Sequence, residues 1–271
     1  MLGPLSPLRP VEQVLIYPQS VAPASLATKE HSDGQQVWIE SDKGRQLDGR
    51  YFSHPQAQAV VLYCHGNIGT VDKWAVLAGR LSQQHHISIL VFDYRGYGRS
   101  QGVTYEKGIL RDAEAARTWL AKENHIRLAD VVLLGRSLGG AVAVDLAANG
   151  GARGLILEST FPSLPEVAGR HVAWLLPEWN MTQRLNSVEK IKHYHGPLLQ
   201  SHGEADRLIP IALGKELFEA APGEKQFVAV PDATHNDDHI RYCAAERETF
   251  LRGLPAVQPA QAEAAGISVV K

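Results

Sequence analysis

From residue 59 to about residue 253, short apolar runs alternate with longer segments of helical period, a pattern that restricts the chain to a parallel sheet with crossover helices. The runs are Ala59–Cys64, Ser88–Phe92, Val131–Leu134, Gly154–Leu157, Pro197–Gln200 and Gln226–Val230, so six parallel strands are expected. Helices are expected at Val71–Gln84, Tyr105–Asn124, Leu138–Ala148, Ile211–Ala220 and Asp237–Leu251. The second carries Ile109, Ala113, Ala116 and Leu120 on one stripe, the face that would cover a sheet. Upstream, Gln36–Glu40 and Arg45–Ser53 flank Ser41-Asp42-Lys43-Gly44, whose Asp and Gly suit a turn, so an antiparallel hairpin brings the expected sheet to eight strands. Residues 161–196 break the alternation with Pro162, Pro165 and Pro177 and read as a lid-like insertion within a domain over 36–253. An N-terminal extension over 1–35, with room for one short strand, and a disordered tail over 254–271 complete the expected organisation.

Leu133-Leu134-Gly135-Arg136-Ser137-Leu138-Gly139-Gly140 places G-x-S-x-G between a buried strand and a helix. A turn that sharp strains the Ser backbone and leaves room only for small residues two before and two after it, places that Gly135 and Gly139 fill. It aims the hydroxyl outward beside a helix N-terminus, where a developing oxyanion is favoured. A serine nucleophile needs a base, and the base needs an orienting carboxylate. Asp206 stands just past the run ending at Gln200, and His235 stands in the loop after Phe227–Val230, so both lie at strand C-terminal ends, as Ser137 does. Two backbone amides would hold the oxyanion: that of Leu138, directly after the nucleophile, and that of Asn67, in the loop after the first parallel strand. Glu158 is a rival acid at the end of another strand, and His65 reads as a buried scaffold residue.

These residues, with His65-Gly66-Asn67, Asp93-Tyr94-Arg95-Gly96-Tyr97-Gly98-Arg99-Ser100, Leu157-Glu158-Ser159-Thr160-Phe161 and His202-Gly203, make the chain resemble an α/β-hydrolase superfamily serine hydrolase over about residues 36–253. It is similar to the compact subgroup that includes the depalmitoylating thioesterases. The resemblance implies an α/β-hydrolase fold, helices on both faces of a mostly parallel sheet, and cleavage of an ester or thioester through a covalent acyl-serine, without metal or organic cofactor. The implied partner is a small-molecule or acyl-chain ester. Ile68, Trp174 and Trp179 are candidate substrate contacts, the tryptophans either lining an acyl pocket or packing the insertion's own apolar face. A serine peptidase of the same fold and a catalytically idle binding scaffold are the competing functions.

Other classes fit poorly. With 27 Lys+Arg against 29 Asp+Glu the net charge is -2 and no basic cluster occurs, which argues against nucleic-acid binding. The glycines around Gly96, Gly98 and Gly102 are spaced one residue too long for a dinucleotide fingerprint. His235 and His239, four apart, could share a metal, but that use competes with the base role of His235. His85-His86, His193 and His195 read as surface or loop residues, and Cys64 and Cys243 as packing residues. Met1–Pro7 lacks a basic and apolar leader and no window is long enough to span a bilayer, so a cytoplasmic location is expected and membrane association is not indicated.

Overall fold

The computed structural model describes residues 12, 14, 16–18, 34–172, 180–237 and 239–257, with the side chain of residue 240 left aside. Eight strands, β1 (Gln35–Glu40), β2 (Gln46–Phe52), β3 (Ala59–Cys64), β4 (Ile87–Phe92), β5 (Val132–Arg136), β6 (Gly154–Glu158), β7 (Leu198–Gly203) and β8 (Lys225–Val230), form one sheet in the order β1-β2-β4-β3-β5-β6-β7-β8. β1 pairs antiparallel with β2 and β2 with β4, and every later pairing is parallel. The hairpin plus six parallel strands expected from the apolar runs is therefore the observed sheet.

Helices α1 (Val71–His85), α2 (Glu106–Glu123), α3 (Leu138–Gly150), α4 (Leu164–Val172), α5 (Ser187–Ile191), α6 (Ile211–Ala220), α7 (His239–Tyr242) and α8 (Ala244–Gly253) accompany the sheet, with 3-10 turns at Asp42–Gly44 and Leu128–Asp130. Successive strand residues point to opposite faces, so each strand feeds two cores. Leu62, Leu90, Leu133 and Leu155 pack with the α2 stripe Ile109, Ala113, Ala116 and Leu120 and with α3. Val61, Ile89, Val132 and Ile156 pack on the other face with Ala75, Ala78 and Leu81 of α1 and Leu251 of α8. Burying each Val, Leu or Ile among them stabilises the fold by about 1.5–3 kcal/mol.

Three features depart from the sequence reading or refine it. The single helix expected over Asp237–Leu251 is two, α7 and α8, separated at Cys243. The bend lets both His239 and Arg247 reach a buried polar cluster, where Arg247 Nη2 donates to Glu158 Oε1 at 2.8 Å and to the His239 carbonyl at 3.3 Å. His85 is buried, not at the surface: it continues the inward stripe of Ala75, Ala78 and Leu81, and its Nδ1 lies 2.8 Å from Glu248 Oε2. Within 161–196 the described residues form α4, α5 and irregular chain.

Of the N-terminal extension, Glu12, Val14 and Ile16 are helical, Ile16 and Tyr17 are buried, and Glu12 accepts from the Thr182 amide at 2.8 Å. The rest of the expected extension over 1–33 and the expected tail from 258 lie outside the described residues. No helix among the described residues is long and apolar enough to cross a membrane.

The order of strands fixes the site. The sheet grows from β3 to β4 on one side and from β3 to β5 on the other, so the loops leaving β3 and β5 diverge and open a crevice beyond their C-terminal ends. Cys64 is opposite Gly135 in register, which sets the Asn67 loop beside Ser137.

Candidate active site

β5 ends at Arg136 and α3 begins at Leu138, leaving Ser137 as the whole turn, at φ 53° and ψ -119°. A side chain in this region costs about 1–3 kcal/mol and needs external support. Three hydrogen bonds supply it: Ser137 N donates to the Glu158 carbonyl, and the Ser137 carbonyl accepts from Gly140 N and Thr160 Oγ1, each at 2.9 Å. A Cβ at Gly139 would collide with the Cys64 carbonyl, and one at Gly135 with the Gly139 carbonyl. The motif glycines are thus spacers that let α3 pass against β3.

His235 Nε2 stands 3.1 Å from Ser137 Oγ, and His235 Nδ1 stands 2.8 Å from Asp206 Oδ2. A carboxylate only accepts, so Nδ1 carries the proton and Nε2 is free to take the one on Ser137 Oγ. Asp206 is 5% exposed, and its Oδ1 accepts from the amides of Leu208 at 2.9 Å and Ile209 at 2.8 Å. Burial opposes its ionisation, but hydrogen bonding by His202, His235 and the Ile209 amide outweighs that and holds the carboxyl well below the usual carboxylate range. His202 Nε2, 3.4 Å behind Asp206 Oδ2, also donates to the Ile209 carbonyl at 2.7 Å, tying together the turn that presents the acid.

The loop after β3 is aimed by aromatic side chains. His65 Nδ1 donates to the Gly66 carbonyl at 2.7 Å, and a planar trans peptide then points the Asn67 N–H the opposite way. Tyr97 Oη donates to the Asn67 carbonyl at 3.2 Å, fixing the next peptide. His65 is the buried scaffold residue expected, set among Trp74, Tyr94 and Tyr97, with Asp93 Oδ1 3.5 Å from its Nε2. Burial pushes the Asp93 carboxyl up, opposed by His65 and the Val71 amide.

The rival placements separate in space. Glu158 is engaged by Arg247, and Asp206 is the carboxylate at His235. His239 is fully buried, with Nδ1 3.0 Å from Ser201 Oγ and Nε2 3.1 Å from Ser159 Oγ. Ile68 is exposed and lines the cavity over Ser137, whereas Trp174 and Trp179 lie outside the described residues. That cavity, about 580 Å³, is walled by Asn67, Ile68, Trp74, Val76, Leu77 and Leu208 and also takes in Lys73, Arg136, His235 and Asn236. No sequence signal marks Trp74, whose Nε1 donates to the Ile68 carbonyl at 3.0 Å, because the face of α1 turned to the site emerges only on folding. The same holds for Arg136, whose Nη2 donates to the carbonyls of His235 at 2.8 Å and Asp237 at 3.0 Å, clamping the histidine loop to the turn at Ser137.

A family model described as serine aminopeptidase, S33, matches residues 55–186. An uncharacterised protein of Mycobacterium tuberculosis is 37% identical over 228 residues, covering 83% of this chain and 81% of that one. An alpha-beta hydrolase from Vibrio vulnificus has a TM-score of 0.71 at 20% identity, over 92% of this chain and 95% of its own. A Pyrococcus furiosus esterase has a TM-score of 0.65 at 20% identity, over 83% and 92%. A relative of that identity across most of both chains, on a sheet shared with these solved folds, makes this chain a hydrolase-fold protein of the α/β-hydrolase superfamily.

Proposed function

We propose that the protein is a serine hydrolase that cleaves a carboxylic ester or thioester through an acyl-serine intermediate. The observation that carries the reading is the continuous relay from Ser137 Oγ through His235 to Asp206, with contacts of 3.1 and 2.8 Å, beneath an open cavity. Ser137 Oγ attacks the substrate carbonyl carbon while His235 Nε2 takes its proton, and Asp206 holds the tautomer and stabilises the imidazolium. The amides of Asn67 and Leu138 receive the oxyanion. The bond to the leaving oxygen or sulfur breaks, and His235 returns the proton to that atom. Water then adds to the acyl-serine with His235 as base, releasing the acid and restoring the Ser137 hydroxyl.

The test is a fluorophosphonate probe with p-nitrophenyl butyrate turnover. One label per chain is expected, and Ser137→Ala abolishes labelling and lowers kcat by about 10³–10⁶. A folded protein that neither reacts with the probe nor turns over the ester would be a binding scaffold. The S33 description favours a peptidase as the second reading. An aminopeptidase must hold a substrate ammonium, and among the described residues lining the cavity there is no carboxylate to do so.

A further inference from the structure

Among the described residues that line the cavity, the charged side chains are Lys73 and Arg136, both positive. They flank one indole: Lys73 Nζ lies 5.7 Å and the Arg136 guanidinium carbon 5.9 Å from the Trp74 ring, within the range of cation–π attraction. Neither is in an ion pair among the described residues. The acids nearest in sequence are occupied, since Asp72 pairs with Arg50 at 2.7 Å and Arg99 at 3.1 Å. Arg136 is 6% exposed, yet its partners are two carbonyls, which satisfy hydrogen bonds without cancelling a charge. Two carboxylates feel its field: Glu158, already held by Arg247, and Asp237, whose Oδ2 accepts from Thr234. Asp237 offsets part of that charge, but among the described residues neither cation has a carboxylate within ion-pair distance, so positive potential remains beside Ser137, where a ligand can meet it.

We propose that the cavity selects acyl substrates bearing an anionic group, a carboxylate or phosphate, held by Lys73 and Arg136 at the Trp74 indole. The inference rests on the serine-hydrolase reading and names the substrate class of that site. The aliphatic walls Ile68, Val76, Leu77 and Leu208 take the hydrocarbon part of the substrate, and the cationic wall takes the charge. The same wall repels an ammonium, which separates this class from peptides with free N-termini. The anion belongs either to the acyl half or to the leaving group, and two substrate series distinguish these.

The first series compares mono-p-nitrophenyl glutarate, p-nitrophenyl butyrate and p-nitrophenyl γ-aminobutyrate, which are anionic, neutral and cationic in the acyl half. The second compares butyryl-coenzyme A with butyryl-N-acetylcysteamine, the same acyl group on a phosphate-bearing and a neutral thiol. In at least one series kcat/KM for the anionic member is expected to exceed the neutral one by about tenfold at low salt, and the ratio falls as ionic strength rises. Lys73→Glu, at an exposed position, lowers that ratio about tenfold or more. Anionic-to-neutral ratios near one in both series, unmoved by salt or by Lys73→Glu, overturn the inference while leaving the esterase reading intact. Absence of turnover of p-nitrophenyl butyrate together with absence of fluorophosphonate labelling overturns the hydrolase reading and this inference with it.

Discussion

Stability between neutral and mildly acid pH is set in part by His239. Its imidazole is fully buried between Ser201 Oγ and Ser159 Oγ, facing Glu158, Arg247, Arg136 and His202. Burial, reinforced by the three neighbouring basic groups and only partly opposed by Glu158, pushes its pKa down to about 4. In the unfolded chain a histidine titrates near 6.5. Between these values the unfolded state binds a proton that the native state refuses, so stability rises with pH across the window and is lost as pH falls. The separation of the two values corresponds to roughly 3 kcal/mol, of which roughly 2 kcal/mol is lost between pH 7 and pH 4.5. His239→Gln keeps a donor and an acceptor for the two serine hydroxyls and cannot titrate. Urea unfolding of both proteins at the two pH values, followed by tryptophan fluorescence, isolates the term, because contributions from His85, Asp206 and the remaining groups are common to both and cancel. The wild type is expected to lose roughly 2 kcal/mol more than the variant on acidification. Equal losses would refute the placement of a neutral, buried His239.

Two further perturbations probe the relay and the turn beneath it. Asp206→Asn keeps the shape but sets an amide against His235 Nδ1, reversing the tautomer, and kcat is expected to fall by about 10⁴ with the fold retained; a loss under about tenfold excludes Asp206 as the orienting acid. Gly139→Ala drives a methyl into the Cys64 carbonyl between α3 and β3, which is backbone on both sides. It should cost about 3 kcal/mol or more and lower Tm by roughly 10 °C, and an unshifted melting curve would show that α3 stands further from β3 than described.

Much of this was readable before folding. β3 and α6 begin and end where the apolar run and the helical segment do, and α6 is bounded by Pro210 and, just past its end, Pro222, which cannot continue a helix. Ser137, Asp206 and His235 lie far apart in the chain, but each stands a few residues past an apolar run, and parallel strands collect their C-terminal ends on one edge. Position relative to a strand end was therefore enough to bring the three together. A histidine at the end of a helix is polar by type and reads as a surface residue, and only the continuation of the α1 stripe takes His85 inside. The Glu158–Arg247–His239 cluster was invisible for a related reason: its members come from β6 and from two helices whose bend at Cys243 leaves no signature in hydrophobic period.

The electrostatics of the cavity depends on a further level of organisation. Arg136 occupies a variable position of the G-x-S-x-G turn, where the pattern requires nothing of the side chain. The fold gives that side chain two simultaneous tasks. The guanidinium's N–H edge secures the loop carrying His235, and the nearby aromatic ring belongs to Trp74, which in turn holds the Ile68 carbonyl of the loop after β3. The turn at Ser137, the loop of His235 and the loop of Asn67 are thereby linked through one cation and one indole. The residues that perform the proposed chemistry follow from strand ends, but the charge that would choose among substrates follows from a side chain whose partners are backbone carbonyls, which no sequence motif records.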